Sequence, residues 1–399
     1  MDLIGVLSLA AFGLLSVDVL RQYLPLLSAL KNADLSRPSF SEDSNAPRVQ
    51  VILCLKGTDP FLDRCLHGLA TQNYPQYGVT IVVDSEQDEA LEPVLELQKK
   101  YGDDRLNVTF RRHLFPTCSR RASSLLSGFD CLNDDVDVVV LCDGDTVPHS
   151  NWLADLVQPL VAARGTAVSG NRWYAPETPT LGSLVRYFWN SLAVPRMYQD
   201  GIIWAGSMAI GRKIFRDPKF MEAMRTSFSE DTKLSGFLLR QNIHPVPLPD
   251  LPVINQETIS LSSFWGFLVR QMLAARLHHP KWRNIFNNAM LVGLAMCLLL
   301  PISLLRGAET FLLWLTGLLF YGIITHTCIG MCEYRIRRFV KQTRDQTLSP
   351  YSAFRILMSL PALTVLGVVY PLAVLTAAAA RSHVWRGVRY LVRDDGVVL

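Results

Sequence analysis

The sequence lacks the usual marks of a cysteine-based metal site and of a nucleic-acid-binding protein. Its eight cysteines include no CxxC pair, so we expect buried, reduced thiols. Its net charge is only +4, and basic residues gather beside apolar segments instead of alternating with aromatic ones. This pattern favours contact with anionic lipid headgroups and predicts no nucleic-acid partner.

The first residues also lack the marks of a cleaved signal peptide. No basic residue precedes the uncharged run at 3–17, and no A-x-A site is followed by a clean polar stretch. A signal peptide is the alternative interpretation, but we predict an uncleaved membrane anchor at residues 1–31.

Apolar residues, in contrast, are plentiful and make up 49% of the chain. Three more runs, at 289–305, 310–332 and 357–380, approach or exceed the length that crosses a bilayer and contain no charge. We therefore predict an integral membrane protein with transmembrane helices at both ends, the C-terminal membrane region being residues 287–399.

Basic residues near these runs predict an orientation. None precedes the first run, and four follow it, at Arg21, Lys31, Arg37 and Arg48. The central region should therefore face the cytoplasm, and a basic loop after the third run agrees. The same rule disagrees with the position of the basic C-terminal tail. Either the last segment is re-entrant, broken by Pro361 and Pro371, or one predicted span is wrong.

Residues 49–260 form the predicted catalytic domain, which follows a polar, proline-bearing linker at 32–48. Four strand-like runs alternate with helical patterns, at 49–55, 79–85, 107–111 and 136–143. Strands that alternate with helices predict an α/β fold with a mainly parallel sheet.

Four charged residues fall at the carboxyl ends of these strands, namely Lys56, Asp84, Asp143 and Asp145. Ligands of such sheets bind beyond the carboxyl ends of the strands, so we expect these side chains to converge on one rim. The alternative is that each strand simply runs into a polar loop.

Asp143 and Asp145 are separated only by Gly144 and should repel each other unless a cation lies against them. Carboxylate oxygens suit Mg²⁺ or Mn²⁺, which is commonly shared with a substrate's phosphates. The glycine lets a phosphate approach closely. We therefore predict a divalent-cation site at this pair.

A second acidic pair, Glu230 and Asp231, precedes a predicted helix. With Ser229 it could cap the helix and compensate the helix dipole. Alternatively, one of the two carboxylates is a general base.

Residues 261–286 mix aromatic and basic residues before the first C-terminal apolar run. We predict an amphipathic helix that lies on the membrane and guides a lipid to the site, the alternative being an ordinary packing helix. We interpret His278 and His279 as interfacial side chains, because no acids lie at metal-ligand spacing.

Five motifs occur in a fixed order over residues 49–280: VILCLKGTDP, VVDSEQDEA, LCDGDTV, WAGSMAIGRKIF and FSEDTKL. This order resembles the family-2-like glycosyltransferases, most closely the ceramide glucosyltransferase branch. The resemblance implies a nucleotide-sugar-binding glycosyltransferase A-type fold and sugar transfer with inversion. It also implies a nucleotide-sugar donor, a divalent cation and a lipid acceptor.

The resemblance also implies roles for matching residues. Asp84 and Asp88 would lie at the nucleotide with Lys56 nearby, Asp143 and Asp145 would match the metal and diphosphate motif, Asp231 would be the general base, and Gly206 and Ser207 would line the pocket beside the sugar or acceptor.

The family usually carries a QxxRW motif, and the matching stretch here is FLVRQ. Arg270 stands where the arginine should be, Phe267 replaces the glutamine, and Gln271 replaces the tryptophan.

We therefore expect a metal-dependent enzyme that moves a sugar, from a UDP-sugar by the resemblance, to a lipid hydroxyl. One alternative is a processive polysaccharide synthase, against which stand the altered QxxRW motif and the few spans. Another is a catalytically silent membrane scaffold, against which stands the intact set of aspartates, Asp84, Asp143, Asp145 and Asp231.

Overall fold

The computed structural model describes residues 2–33, 40, 45–102, 105–162, 166–344, 348, 353–393 and 396–399. Most of the predicted linker at 32–48 lies outside these described residues.

A seven-stranded sheet forms the centre of the catalytic domain. Its strands are β1 (Val49–Leu55), β2 (Tyr77–Val83), β3 (Leu106–Phe110), β4 (Val138–Cys142), β5 (Ala167–Tyr174), β6 (Ser207–Gly211) and β7 (Val246–Asn255). The strand order is β3-β2-β1-β4-β6-β5-β7. The first four strands of this order are parallel, β6 is antiparallel to both neighbours, and β5 is parallel to β7. The predicted mainly parallel sheet and its four predicted strands are confirmed.

Helices cover both faces of this sheet and flank the domain. They are α1 (Leu3–Lys31), α2 (Leu62–Ala70), α3 (Leu91–Tyr101), α4 (Arg120–Phe129), α5 (Trp152–Ala162), α6 (Leu181–Asp200), α7 (Arg212–Phe215), α8 (Pro218–Met224), α9 (Glu230–Arg240) and α10 (Leu261–His278).

The central strands are buried on both faces, which explains their nearly continuous β-branched sequences. Val51 and Val140 point into the core beneath α2 and α5, whereas Ile52 and Val139 point into the core beneath α4 and α9. The sheet is therefore held rigidly between two apolar layers, and its carboxyl edge can hold side chains in fixed positions.

The C-terminal third consists of long helices and a small sheet. The helices are α11 (Trp282–Gly293), α12 (Leu299–Arg306), α13 (Ala308–Arg344) and α14 (Ala353–Ala379), with a π-helical turn at Leu294–Leu298 between α11 and α12. The sheet is antiparallel and consists of β8 (Ser382–Trp385), β9 (Val388–Arg393) and β10 (Gly396–Val398).

Among the described residues, four helical segments are long and apolar enough to cross a membrane: Leu3–Lys31, Trp282–Arg306, Ala308–Arg344 and Leu357–Ala379. They coincide with the four apolar runs of the sequence. Their attachment to the catalytic domain is direct, because Trp173 Nε1 on β5 donates to Glu333 Oε2 on α13 at 2.5 Å.

Pro361 and Pro371 lie inside α14 without ending it, so the predicted break at these prolines is wrong. The residues on either side of α14 accept hydrogen bonds from neighbouring helices. Arg337 donates to the Leu348 carbonyl before the helix, and Arg276 on α10 donates to the Ala380 carbonyl after it.

The segment at 261–286 divides into α10 and the start of α11, and α10 packs against α6, α9 and α14. Its position on a membrane surface stays a prediction. The interpretation of His278 and His279 as interfacial is wrong, because both are buried, at 2% and 4% exposure. The Phe228 N–H donates to His278 Nε2 at 2.9 Å, which uses the ring as a hydrogen-bond acceptor in the interior.

Candidate active site

Asp84 anchors a cluster of charges where β1 and β2 end. Its carboxylate accepts from Lys56 at 3.1 Å, from Arg111 at 3.0 Å and from Arg120 at 3.0 Å. Burial alone would raise the pKa of Asp84, but the hydrogen bonds from Arg111 and Lys56 outweigh it and hold the pKa below its usual value. Asp84 therefore stays ionised and fixes the Lys56 ammonium at the rim.

Asp143 and Asp145, after β4, share one guanidinium. Arg172 Nη2 on β5 lies 3.0 Å from Asp143 Oδ2 and 3.1 Å from Asp145 Oδ1. The cation that the two like charges require is, in this structure, an arginine of the chain. The other oxygen of Asp145 accepts from Asn255 Nδ2 at 3.3 Å.

Arg121, at the start of α4, connects the two acidic motifs. Its guanidinium donates to Asp143 and to Glu230. Burial opposes ionisation of Asp143, but Arg121 and Arg172 outweigh it and keep the pKa of Asp143 below its usual value. The pKa of Glu230 is raised, because burial outweighs the charge of Arg121.

Most hydrogen bonds to the Asp231 carboxylate go to one of its two oxygens. Its Oδ1 accepts from Ser229 Oγ at 2.6 Å and from the Thr232 N–H and hydroxyl at 2.5 and 3.0 Å. Its Oδ2 accepts one long bond among the described residues, from the Ala205 N–H at 3.3 Å. Ser229 makes no capping bond to the helix, so this hydroxyl orients the carboxylate instead.

These groups surround a cavity of about 220 Å³ at the carboxyl edge of the sheet, which we call the rim pocket. Its charged lining consists of the cations Lys56, Arg120, Arg121, Arg172, Arg270 and Arg386 and the acids Asp59, Asp84, Asp143, Asp145, Glu230 and Asp231. The structure thus brings together Lys56, Asp84, Asp143, Asp145, Asp231 and Arg270 of the residues that the sequence singled out.

Three other predicted residues are not among the described residues that line the rim pocket. Asp88 accepts from the N–H groups of Gly57 and Ala90, at 2.8 and 3.0 Å, and so braces the loop after Lys56. Ser207 is fully buried and accepts from Trp152 Nε1 at 2.8 Å.

Gly206, the third of these residues, lies directly beside the site. A Cβ built at this position would come within 1.9 Å of the Trp204 ring and 2.6 Å of Asp143 Oδ2. The absence of a side chain lets the indole approach Asp143, to which Trp204 Nε1 donates at 3.2 Å. Gly206 is therefore required for the packing of the site.

Arg270 contributes a cation without a carboxylate partner within salt-bridge distance among the described residues. Its guanidinium lies 4.5 Å from the ring centroid of Trp385 and 5.8 Å from that of Phe267. The tryptophan that the FLVRQ stretch lacks after Arg270 is thus replaced in space by Trp385 of the C-terminal tail.

A second, mostly apolar cavity of about 230 Å³ lies between the helices of the N- and C-terminal regions, and we call it the apolar cavity. Its walls include Leu15 on α1, Trp189 on α6, Met272 on α10 and Leu363 on α14. Four residues line both this cavity and the rim pocket: Arg172, Trp204, Asp231 and Gln271. The two spaces therefore meet at Asp231.

A cluster of polar side chains around Asp18 also lies on the wall of the apolar cavity. Asp18 Oδ2 on α1 accepts from Gln22 at 2.7 Å, Arg196 at 3.0 Å and Asn288 at 2.9 Å. Charged residues in a membrane-spanning helix are expensive, so a compensated aspartate at this place points to a functional role.

Asp143 and Asp145 are the residues that could hold a divalent cation. No group of three or more His, Cys, Asp or Glu side chains suited to a metal occurs in the described part of the chain. Mg²⁺ and Mn²⁺ need only one or two carboxylates when a substrate's phosphates complete their shell. The pair fits such an ion if Arg172 gives up its place between the two carboxylates.

The family of the chain follows from a comparison with known protein families. The family model for glycosyl transferase family 21 matches residues 22–398. The chain belongs to glycosyltransferase family 21. No curated protein matches the chain.

A solved glycosyltransferase structure shares the fold of this family 21 chain. The mannosyltransferase PcManGT from Pyrobaculum calidifontis, in complex with GDP-Man and Mn²⁺, aligns with a TM-score of 0.52 at 14% identity over 94% of this chain and 98% of its own. Glucosyl-3-phosphoglycerate synthase from Mycobacterium tuberculosis, in complex with phosphoglyceric acid, has a TM-score of 0.39 at 13% identity over 60% of this chain and 83% of its own. The predicted glycosyltransferase A-type fold is confirmed.

Sequence reasoning missed several residues of the rim pocket, namely Arg121, Arg172, Trp204, Trp385 and Arg386. One signal was present, because two adjacent carboxylates require a cation. Arg172, an arginine within the largely buried strand β5, was a candidate for it.

Proposed function

We propose that this family 21 enzyme is an inverting glycosyltransferase that moves a sugar from a nucleotide sugar to a hydroxyl of a membrane lipid, as ceramide glucosyltransferases do. The observation that carries the proposal is the position of Asp231, which lines both the charged rim pocket and the apolar cavity. A transfer between a charged donor and an apolar acceptor requires a base at such a junction.

The rim pocket suits the donor. Guanidinium groups bind diphosphates through paired, charge-assisted hydrogen bonds, and Arg121, Arg172 and Arg270 all line this pocket. Asp84 and Lys56 stand at the ends of β1 and β2, where we assign the nucleoside of a UDP-sugar.

We assign a divalent cation, Mg²⁺ or Mn²⁺, to Asp143 and Asp145. When bound, such an ion stabilises the negative charge of the leaving diphosphate. The chain supports this with the Arg270 guanidinium, which faces the same pocket and makes no competing ion pair among the described residues.

The reaction follows from these positions. Asp231 takes the proton of the acceptor hydroxyl as its oxygen attacks the anomeric carbon. The bond from that carbon to the diphosphate oxygen breaks, and the nucleoside diphosphate leaves with the electron pair. Attack opposite the leaving group inverts the anomeric centre, and no second nucleophile is needed.

The apolar cavity suits the acceptor. Helices α1, α6, α10, α11, α13 and α14 all contribute to its wall, so a lipid can reach Asp231 from the region of the membrane helices. The group around Asp18, Arg196 and Asn288 offers hydrogen bonds to a second polar group of the lipid. A sphingoid or another hydroxylated lipid has such a group.

We also propose that the catalytic domain faces the cytoplasm and that α14, an unbroken helix, does not carry the chain across the bilayer. The tail that follows it contacts the catalytic domain, where Arg386 donates to Asp59 Oδ1 and the Leu399 N–H donates to the Pro116 carbonyl. This interpretation brings the basic tail to the cytoplasmic side and removes its conflict with the distribution of basic residues.

The test is transfer of a labelled sugar from a panel of nucleotide sugars to lipid by the purified protein in lipid nanodiscs. We expect one sugar per lipid, made by the wild type and lost in Asp231→Asn. The matched control is Asp134→Asn, since Asp134 is fully exposed and precedes the amino end of β4, whereas the site lies at the carboxyl end of this strand. No lipid product with any donor, or an equally active Asp231→Asn protein, would contradict the proposal.

The route of the acceptor is tested by filling the apolar cavity. Ala193→Phe adds a ring to the cavity wall, whereas Ala10→Phe adds the same ring to an exposed face of α1. We expect Ala193→Phe alone to reduce lipid transfer about tenfold or more, with donor binding unchanged. Equal activity of the two variants would place the acceptor elsewhere.

A further inference from the structure

The C-terminal strands β8, β9 and β10 are docked on the catalytic domain beside the rim pocket. The Tyr390 hydroxyl accepts from the Arg120 N–H at 3.3 Å, and the Leu399 N–H donates to the Pro116 carbonyl at 2.8 Å. The Tyr390 ring packs edge-on against Phe228, with a centroid distance of 5.8 Å. The small sheet is therefore fixed both to the start of α4 and to the loop before α9.

The turn of this sheet points a charged residue at the pocket. Trp385 pairs directly with Val388, which leaves a two-residue turn formed by Arg386 and Gly387. Both turn residues have positive φ, +47° and +75°. Asparagine or glycine is the usual first residue of such a turn, so an arginine there is held in an unfavourable backbone conformation. Backbone strain of this kind is concentrated at functional sites.

Arg386 extends from the turn to the loop after β1. Its guanidinium donates to Asp59 Oδ1 at 2.7 Å and to the Lys56 carbonyl. The other oxygen of Asp59 lies 2.7 Å from the position of a Cβ built on Gly144. Only the Asp59 side chain thus separates Arg386 from the Asp143-Gly144-Asp145 motif. The Arg386 side chain is still 40% exposed.

The same hairpin positions a second cation, because the Trp385 ring packs 4.5 Å from the Arg270 guanidinium. Arg121, Arg172, Arg270 and Arg386 consequently face one pocket. Burial lowers the pKa of Arg270; the charge of Asp143 opposes this, and the charges of Arg172, Arg121 and Arg386 add to it. A polyvalent anion between these guanidiniums would remove this repulsion.

We propose that the C-terminal hairpin is part of the donor site and that Arg386 binds the diphosphate of the nucleotide sugar. The proposal rests on the proposed function, since it assumes that the rim pocket takes a nucleoside diphosphate. On donor binding, Arg386 exchanges its contact with Asp59 for the phosphate oxygens.

The test is the affinity of the full-length protein for UDP and GDP in the presence of Mn²⁺, compared with the affinity for uridine and guanosine. We expect Arg386→Ala to weaken binding of the preferred diphosphate roughly 10–100-fold, as the loss of a charge-assisted hydrogen bond does. Arg386→Lys should recover part of this loss. Binding of the phosphate-free nucleoside should change little, because it has no phosphate for Arg386 to bind. A merely structural role of Arg386 would instead weaken the binding of both ligands.

Arg389→Ala is the matched control, because it removes the same charge from an exposed position of the same small sheet. Diphosphate binding by Arg386→Ala equal to that of Arg389→Ala would overturn the proposal, as would equal losses for diphosphate and nucleoside. A wild-type protein that binds neither UDP nor GDP would contradict the proposed function itself, and with it this inference.

Discussion

The carboxylate of Glu230 is ion-paired with the guanidinium of Arg121, and only 6% of the Glu230 side chain is exposed. The neighbouring Asp231, in contrast, lines the junction of the rim pocket and the apolar cavity. Successive residues at the start of a helix point about 100° apart, so Glu230 forms an ion pair inside the protein while Asp231 faces the junction of the two cavities.

Asp231→Asn should therefore abolish the proton transfer while the donor still binds. We expect transfer to fall about 10²–10⁴-fold, the usual cost of removing a general base, with donor affinity largely unchanged. Single-turnover transfer and equilibrium binding of the nucleotide sugar separate the two quantities.

Glu230→Gln is the comparison for that variant, and its effect should fall on stability. The change leaves the Arg121 charge with Asp143 alone, which should cost on the order of 2 kcal/mol. The thermal midpoint in detergent should therefore fall for Glu230→Gln and stay near the wild type for Asp231→Asn. A stable but inactive Glu230→Gln protein beside an active Asp231→Asn protein would reverse the roles.

A divalent cation should be needed for tight donor binding. Excess EDTA should stop transfer, and added Mn²⁺ or Mg²⁺ should restore it, because Asp143 and Asp145 would otherwise face a diphosphate without a shared cation. Asp145→Asn should weaken cation-dependent donor binding and nearly abolish turnover. Exposed Asp134→Asn serves as the control. Full transfer in EDTA would contradict the cation assignment and would mean that Arg121 and Arg172 are sufficient to neutralise the two carboxylates.

Much of the sheet and part of the rim could be predicted from local sequence. Strands β1, β2 and β4 are short β-branched runs, and each is followed at once by polar residues such as Lys56, Asp84 and Asp143. In a parallel sheet these ends meet at one edge, so three separate local patterns together predict a site.

Other cations of the rim pocket, such as Arg172 and Arg386, could not be predicted in this way, because sheet order and docking place them there. Arg172 reaches Asp143 only because β5 and β6 extend the sheet beyond β4, with β6 running antiparallel. Trp385 and Arg386 come from a small sheet after the last apolar helix, and no periodic pattern in the sequence connects them to Lys56 or Arg270. Like-charge repulsion predicted a cation at the aspartates but not its identity.

Arg270 should act on the leaving diphosphate, and Trp385 should hold it in place. Arg270→Ala should slow transfer about 10²-fold or more, since it removes a charge that stabilises the leaving group. Trp385→Phe should retain most activity and Trp385→Ala should lose part of it, because only the former keeps a ring against the guanidinium. Exposed Arg283→Ala should behave as the wild type.

The products of transfer by the wild type and by these variants test the alternative of a processive synthase. Each active protein should yield a single sugar on lipid, as read by mass spectrometry of the extracted products. Long polysaccharide from the wild type would show that the non-processive interpretation is wrong.

Acidification should destabilise the protein through His278. Burial, with the charges of Lys233 and Arg240, lowers the pKa of His278 to about 3, and its Nε2 accepts from the Phe228 N–H. The unfolded chain binds this proton near pH 6.5 and the folded chain only near pH 3. The stabilisation is therefore complete above about pH 6.5 and is lost at up to ~1.4 kcal/mol per unit as the pH falls towards 3.

The measurement of this effect is the thermal midpoint in detergent between pH 7 and pH 5. His278→Gln keeps a hydrogen-bond acceptor but cannot titrate in this range, so its midpoint should fall less steeply with pH than that of the wild type. His279, whose pKa burial lowers to about 4, should add a smaller dependence of the same sign. Exposed His244→Gln is the matched control and should follow the wild type, whereas equal slopes for His278→Gln and the wild type would contradict the assignment.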